Sequence, residues 1–298
     1  MGLRRSKAVR HLTYKVRFLG LVALAIAGMW PMAAQAATVP GLGSAGNFAV
    51  LSAAPGHGGA VTCTTSSITG NVGSSGVPAS VVNTGPCTIT GSIIAPVSNQ
   101  VVADFNSAYS ALALVHCDTV LTTLDGQILA PGVYCISAAA TSTGSTLTLN
   151  GPSTGVWIFK IGTSGTGALT GTNFSVVMTG GATAPCNVTW WVAQAATMTD
   201  SHFLGTILAG AAITITRGTF SGDALAGAAV TMTDTNLVGC PGSQANLHGN
   251  GKEKCNQGVG NGPEGCDPGN SNQGDPSRSN DELGGVPGDP GRQGGNGK

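Results

Sequence analysis

The sequence predicts a mostly β chain wound as a parallel solenoid, with one long α-helix beside it, and three observations predict this. Segments recur at an offset of 17 residues: Phe203-Leu-Gly-Thr-Ile-Leu-Ala-Gly210 matches Phe220-Ser-Gly-Asp-Ala-Leu-Ala-Gly227, and Ala196-Thr-Met-Thr199 matches Ile213-Thr-Ile-Thr216 and Val230-Thr-Met-Thr233. A repeat of that length, rich in β-branched residues and without an internal helix, is one coil of a solenoid that buries its apolar side only by stacking on its neighbours. Short runs of Val, Ile, Thr and Leu, such as Ser145–Leu149 and Val156–Ile161, alternate with glycine-containing breaks. Finally, only 9% of the 298 residues are charged and 47 are glycine, which excludes a helical bundle or coiled coil built on Glu and Lys.

From the N-terminus, Arg4, Arg5, Lys7, Arg10, Lys15 and Arg17 precede an apolar run from Phe18 to Trp30, followed by Ala34-Gln35-Ala36. This order of charged, apolar and small residues is that of a secretory signal peptide over residues 1–36. The run is short for a membrane span and no second one follows, so a secreted, extracellular chain without a membrane anchor is expected after cleavage. Residues 37–240 form the folded domain. Within it, Ser98 to Val115 carries Val101, Phe105, Ala108 and Leu112 on one helical stripe, with Pro96 ahead and Ser98 at the N-cap position. After Pro241, Gly, Asn, Pro, Asp and Ser dominate, and twelve charges crowd between Lys252 and Lys298. Such a segment buries too little apolar surface to offset its chain entropy, and residues 241–298 read as a disordered tail.

Eight cysteines in an exported chain read as disulfides. Their spacing leaves the pairing open, and Cys63 with Cys87 and Cys117 with Cys135 are the local pairs favoured here. No Cys-x-x-Cys occurs and no histidine sits at zinc-finger spacing, so neither metal nor cofactor is expected. Thirteen basic and thirteen acidic residues cancel, and no basic stripe argues for nucleic acid. Between 37 and 250 the charges reduce to Lys160 and Arg217 against Asp104, Asp118, Asp125, Asp200, Asp223 and Asp234. Six dispersed acids supply no paired-carboxylate cleft, and His57, His116 and His202 lack a nucleophile partner, so no enzyme is expected.

Several segments carry a family resemblance: Gly41–Leu51, Leu129–Cys135, Val156–Ile161, Cys186–Val192 and Gly205–Ala209 resemble, in this order, segments of the microbial ice-binding-like (antifreeze) proteins. The resemblance covers 41–240. It implies a discontinuous right-handed parallel β-helix of triangular cross-section with segment 98–115 as the helix packed alongside. It further implies ice as the partner, held on a flat face rich in Thr, Ser and Ala that carries a Thr-(Ala/Gly)-x-(Thr/Asn) pattern; a monomer is expected. An extracellular adhesive or structural module, meeting a matrix or cell-surface partner instead of ice, is the alternative.

Stacking places equivalent residues about 4.8 Å apart. Met198, Ile215 and Met232 are then expected inside, with Thr197, Thr214 and Thr231 in one outward column and Thr199, Thr216 and Thr233 in another. Thr170-Gly-Thr-Asn173 fits the family pattern, which adds Thr170 and Asn173, and Thr216-Arg-Gly-Thr219 adds Thr219. Asp200, Arg217 and Asp234 occupy the second position of the pattern, also 17 apart. Either this acid–base–acid ladder stands at a corner or it interrupts the face, and a one-residue change of register separates the two.

Overall fold

The computed structural model describes residues 38–244 and Gly2, with the backbone of two short strands, Cys255–Asn256 and Asp267–Pro268, that pair antiparallel. The signal-peptide reading of 1–36 and nearly all of the tail lie outside the described residues; Pro241–Gln244 forms a short 3-10 turn.

Residues 43–240 build coils whose strands pair in parallel on three faces. One face is a nine-stranded sheet ordered Ile93–Ile94, Val72–Ser74, Val50–Ser52, Ala224–Ala226, Thr206–Ala209, Val188–Val192, Trp157–Ile161, Gly132–Ile136, Thr119–Val120. The nine-residue strands Ala196–Leu204, Ile213–Ser221 and Val230–Val238 bend midway and supply the other two faces. The register repeats the 17-residue offset, with Met198 opposite Ile215 and Ile215 opposite Met232, all three buried.

The order of coils is not the order of the chain. Val61–Thr64 pairs with Val230–Val238, and Val50–Ser52 lies between Ala224–Ala226 and Val72–Ser74. The chain therefore starts within the stack, builds one end with residues up to Ile94, crosses to the other end through the helix, and winds back until its last coil meets its first. This is the discontinuity the resemblance implied.

The helix Asn99–Leu114, the one α-helix among the described residues, matches the apolar stripe: Val101, Phe105, Ala108 and Leu112 are its buried positions. Ser98 holds the N-cap position in an extended conformation but makes no capping hydrogen bond with its side chain. The stripe packs against the outward column Leu51, Leu225, Leu208 and Trp191 of the nine-stranded sheet, whose register runs on to Lys160 and Cys135. Buried on both sides, that sheet reads as continuous apolar runs such as Val188–Val192. Lys160 is the exception. It is 4% exposed, and its ammonium donates to the carbonyls of Ala113 (2.8 Å) and Val115 at the end of the helix, where main-chain acceptors lack partners. Burial holds its pKa below the usual lysine value.

Inside the stack, Tyr134, Phe159, Trp190, Phe203 and Phe220 form a continuous aromatic column, with Phe159 and Trp190 ring centroids 4.0 Å apart. The indoles of Trp157 and Trp190 donate to the carbonyls of Leu129 and Leu204, which satisfies their buried polar edge. Disulfides join Cys63 to Cys87 and Cys117 to Cys135, the two favoured pairs, and also Cys186 to Cys240.

Candidate functional site

Two faces of the solenoid are open to solvent, and they differ. On the first, every strand except the terminal Val81–Thr84 alternates a buried residue with a more exposed one, and the outward positions form two ranks. The register runs Thr141, Thr170, Thr197, Thr214, Thr231, Thr62 and Val82 in one rank. The other runs Thr143, Thr172, Thr199, Thr216, Thr233, Thr64 and Thr84. Thirteen of the fourteen positions are threonine. Ranks are set about 4.8 Å apart from coil to coil and about 6.8 Å apart along the strand. β-branching restricts each side chain at χ1, so its hydroxyl and methyl are held with little freedom. Alongside, Ala168, Ala195, Ala212, Ala229 and Ala60 stack through main-chain hydrogen bonds from the residue that follows the preceding alanine, as Ala196 N donates to the Ala212 carbonyl (3.0 Å).

The hydroxyls of this threonine face are largely unengaged. Thr64 and Thr84 bond each other at 2.7 Å, at one end of the ranks. Among the described residues the other eleven make no hydrogen bond to protein through Oγ1, so their donors and acceptors are offered to water. On the third face the polar side chains pair with one another: His202 Nδ1 lies 2.9 Å from Thr219 Oγ1, and Ser67 donates to Asn236 at 2.8 Å. Its other outward column carries the exposed apolar residues Ile128, Val177 and Val238.

The corner between these two faces explains the charged ladder. Thr65, Asn173, Asp200, Arg217 and Asp234 all have φ between 47° and 54°, the left-handed conformation that turns the strand from one face to the next. Asn and Asp tolerate it better than most residues. The following residue stabilises the turn from inside: the buried hydroxyls of Ser66, Ser201 and Thr235 donate to the carbonyls of Thr64, Thr199 and Thr233. In the coil where that residue is Gly218, a Cβ would collide with the Ser201 carbonyl. Arg217 donates to Asp200 through two nitrogens, at 2.6 and 2.7 Å. That hydrogen bond holds the Asp200 carboxyl below its ordinary range and raises Arg217. The ladder therefore stands at the corner, beside the threonine ranks and not within them.

Of the sequence-predicted residues, Thr170, Thr197, Thr199, Thr214, Thr216, Thr231 and Thr233 come together on the threonine face. Thr219 lies on the third face and Asn173 at the corner. Sequence reasoning missed Thr62, Thr64, Thr84, Thr141, Thr143 and Thr172. The Thr-x-Thr spacing of Thr62-Cys-Thr64 and Thr141-Ser-Thr143 was the available signal. The 17-residue offset hid them, because longer connections separate the coils of Thr141, Thr170 and Thr197, and Thr62 enters the ranks out of chain order.

A parallel β-helix that covers one face with a helix and leaves another as regular hydroxyl ranks defines a protein that works through an extended surface. Residues 54–238 match the model of the ice-binding-like family, and the chain belongs to that family. It is 37% identical over 189 residues to an ice-binding protein of Nostoc sp. (strain HG1), covering 60% of this chain and 65% of that relative's length. It is 32% identical to ice-binding protein K1-A of Typhula ishikariensis, over 65% of this chain and 85% of that one. Among solved structures it superposes on an ice-binding protein from an Antarctic biological consortium with a TM-score of 0.58 at 28% identity, covering 70% of this chain and 95% of that one. The ice-binding protein of Antarctomyces psychrotrophicus gives 0.57 at 29% identity, covering 67% and 98%.

Proposed function

We propose that this chain is a secreted, monomeric antifreeze protein that adsorbs to ice through the two threonine ranks. The observation that carries this reading is the eleven hydroxyls without protein partners in the two ranks, repeated at the coil spacing on a charge-free face. Each threonine contact with water is weak, and affinity then comes from many of them held in fixed positions, with little rotamer freedom left to lose on binding. The names of the relatives support ice as the partner, and the disulfides and the signal-like residues 1–36 support export. On this reading the face acts by adsorption through its regular ranks of hydroxyl and methyl groups.

The test is ice shaping and recrystallisation inhibition by the purified protein. Wild type shapes ice; Thr214→Tyr or Thr216→Tyr, each at the middle of a rank, abolishes shaping while melting stays close to wild type, because a ring on an exposed strand position is tolerated but holds a flat lattice away. Thr219→Tyr, on the third face, leaves shaping intact. Wild-type protein that neither shapes ice nor inhibits recrystallisation at high concentration sinks the reading and favours an adhesive or structural role.

A further inference from the structure

Away from the threonine face, the turn Pro55–His57 and the first two turns of the helix border an open surface cleft of about 330 Å³. Its walls include His57, Ser75, Asn99, Val102, Ala103 and Asn106, and none of its lining residues is acidic, Lys or Arg. The side-chain amides of Asn99 and Asn106 make no hydrogen bond to protein. His57 Nδ1 lies 3.1 Å from the Ser75 carbonyl oxygen. That oxygen only accepts, so Nδ1 is the donor of this contact, and Nε2 is the ring nitrogen without a protein partner.

The backbone at this point is unusual. Six non-glycine residues among those described have positive φ, and five form the corner column that turns the coils. The sixth is His57, at φ 63°, next to Gly56 at φ 64°. No stacking requirement accounts for it. Backbone held outside the common regions persists where surrounding structure enforces it, and such residues concentrate at ligand sites. Here the conformation places an imidazole at the mouth of a small neutral cleft that also holds two free amides and an apolar wall.

We propose that this cleft binds a neutral polyhydroxylated ligand, a single sugar ring of an extracellular glycan. The volume lies at the lower end of small-molecule sites, enough for one ring. The two amides and the imidazole Nε2 offer hydrogen-bonding groups to several hydroxyls, while Val102 and Ala103 meet the ring's C–H side. No Lys or Arg lines the cleft, so a carboxylate or phosphate finds no ion pair there, which favours a neutral ligand. Since none of the cleft residues belongs to the threonine ranks, a bound sugar leaves that face open, and the proposal stands independently of ice adsorption.

The experiment is a titration of the purified protein, followed by NMR of the Asn99 and Asn106 side-chain amides, with glucose, galactose and mannose; glucuronate and inorganic phosphate serve as charged probes. Saturable shifts with at least one neutral sugar, weak or absent with the charged probes, are expected. Ala103→Trp, which fills the cleft, weakens binding by about tenfold or more. His57→Gly relieves the left-handed backbone, so it keeps or raises the melting temperature while weakening binding several-fold; a purely structural histidine would leave binding unchanged. No saturable shift with any neutral sugar, equal binding of glucuronate or phosphate, or full binding by both variants overturns the proposal.

Discussion

The same coils build two very different surfaces. Residues 196–209 contribute Thr197 and Thr199 to the open face and Leu208 to the helix-covered one; residues 213–226 contribute Thr214, Thr216 and Leu225. Inward of both lies one core, so the interior does not set the difference. What lies outside does. Leu51, Leu225, Leu208 and Trp191 are removed from water by Val101, Phe105, Ala108 and Leu112, and each such burial contributes to stability. The threonine ranks receive nothing from the protein on their outer side. One face therefore contributes stability and the other holds its side chains free for an external partner, so substitutions on the two should separate stability from function.

The largest expected effect is on the covered face. Phe105→Ala removes the most buried ring of the helix stripe and should cost about 3–5 kcal/mol, read as a fall in the denaturation midpoint. Opening the Cys117–Cys135 bridge, which ties the segment after the helix to the covered sheet, should cost roughly 3 kcal/mol through the loop it closes; an unchanged midpoint for the double Ala variant would count against it. Lys160→Met keeps the bulk of the stem but leaves two helix-end carbonyls without their donor, a loss of about 1–3 kcal/mol that hydrogen exchange should locate at residues 111–115. On the open face, Thr216→Val should shift stability by less than about 0.5 kcal/mol while lowering ice adsorption, since it deletes a hydroxyl that bonds nothing in the protein. Equal losses of stability from Phe105→Ala and Thr216→Val would erase the distinction.

The smallest effect is on pH dependence, through one carboxylate at the corner and one on the helix. Asp200 is held below its ordinary pKa by the Arg217 hydrogen bond, and Asp104 by the Ser44 amide. A depressed carboxyl stabilises the fold above its unfolded pKa and loses that contribution as pH falls through the folded value. The melting temperature should thus be insensitive to these groups near neutrality and decline only below about pH 4. In Asp200→Asn part of this acid decline should disappear, and high salt should shrink the difference.

Much of this was readable beforehand, for reasons that differ by element. The helix was legible because Val101, Phe105, Ala108 and Leu112 recur at helical spacing and the observed helix keeps to it. The central coils were legible because stacking in parallel forces equivalent residues into register, so an offset in sequence becomes a column in space. The corner was harder. Whether Asp200 turned outward on a face or sat at a bend depended on φ at one residue, and the left-handed value of 51° decided it. The full extent of the ranks was not legible from periodicity, since Thr62 and Thr64 join them across the discontinuity from the opposite end of the chain. The cleft at His57 left no pattern at all, because it assembles a turn and a helix that are distant in sequence.

The pairing of Val61–Thr64 with Val230–Val238 also sets an order of events during synthesis. Residues 50–94 emerge first, yet the coil on which they rest is among the last parts of the domain to be made. Until residues 224–238 exist, the early strands have no parallel neighbour on that side, and the domain cannot close by adding coils one after another from its N-terminus. Contacts spanning such separations make closure slow compared with local winding. The domain therefore closes only once residues 224–238 have been made, and the threonine ranks become continuous when its first and last coils meet.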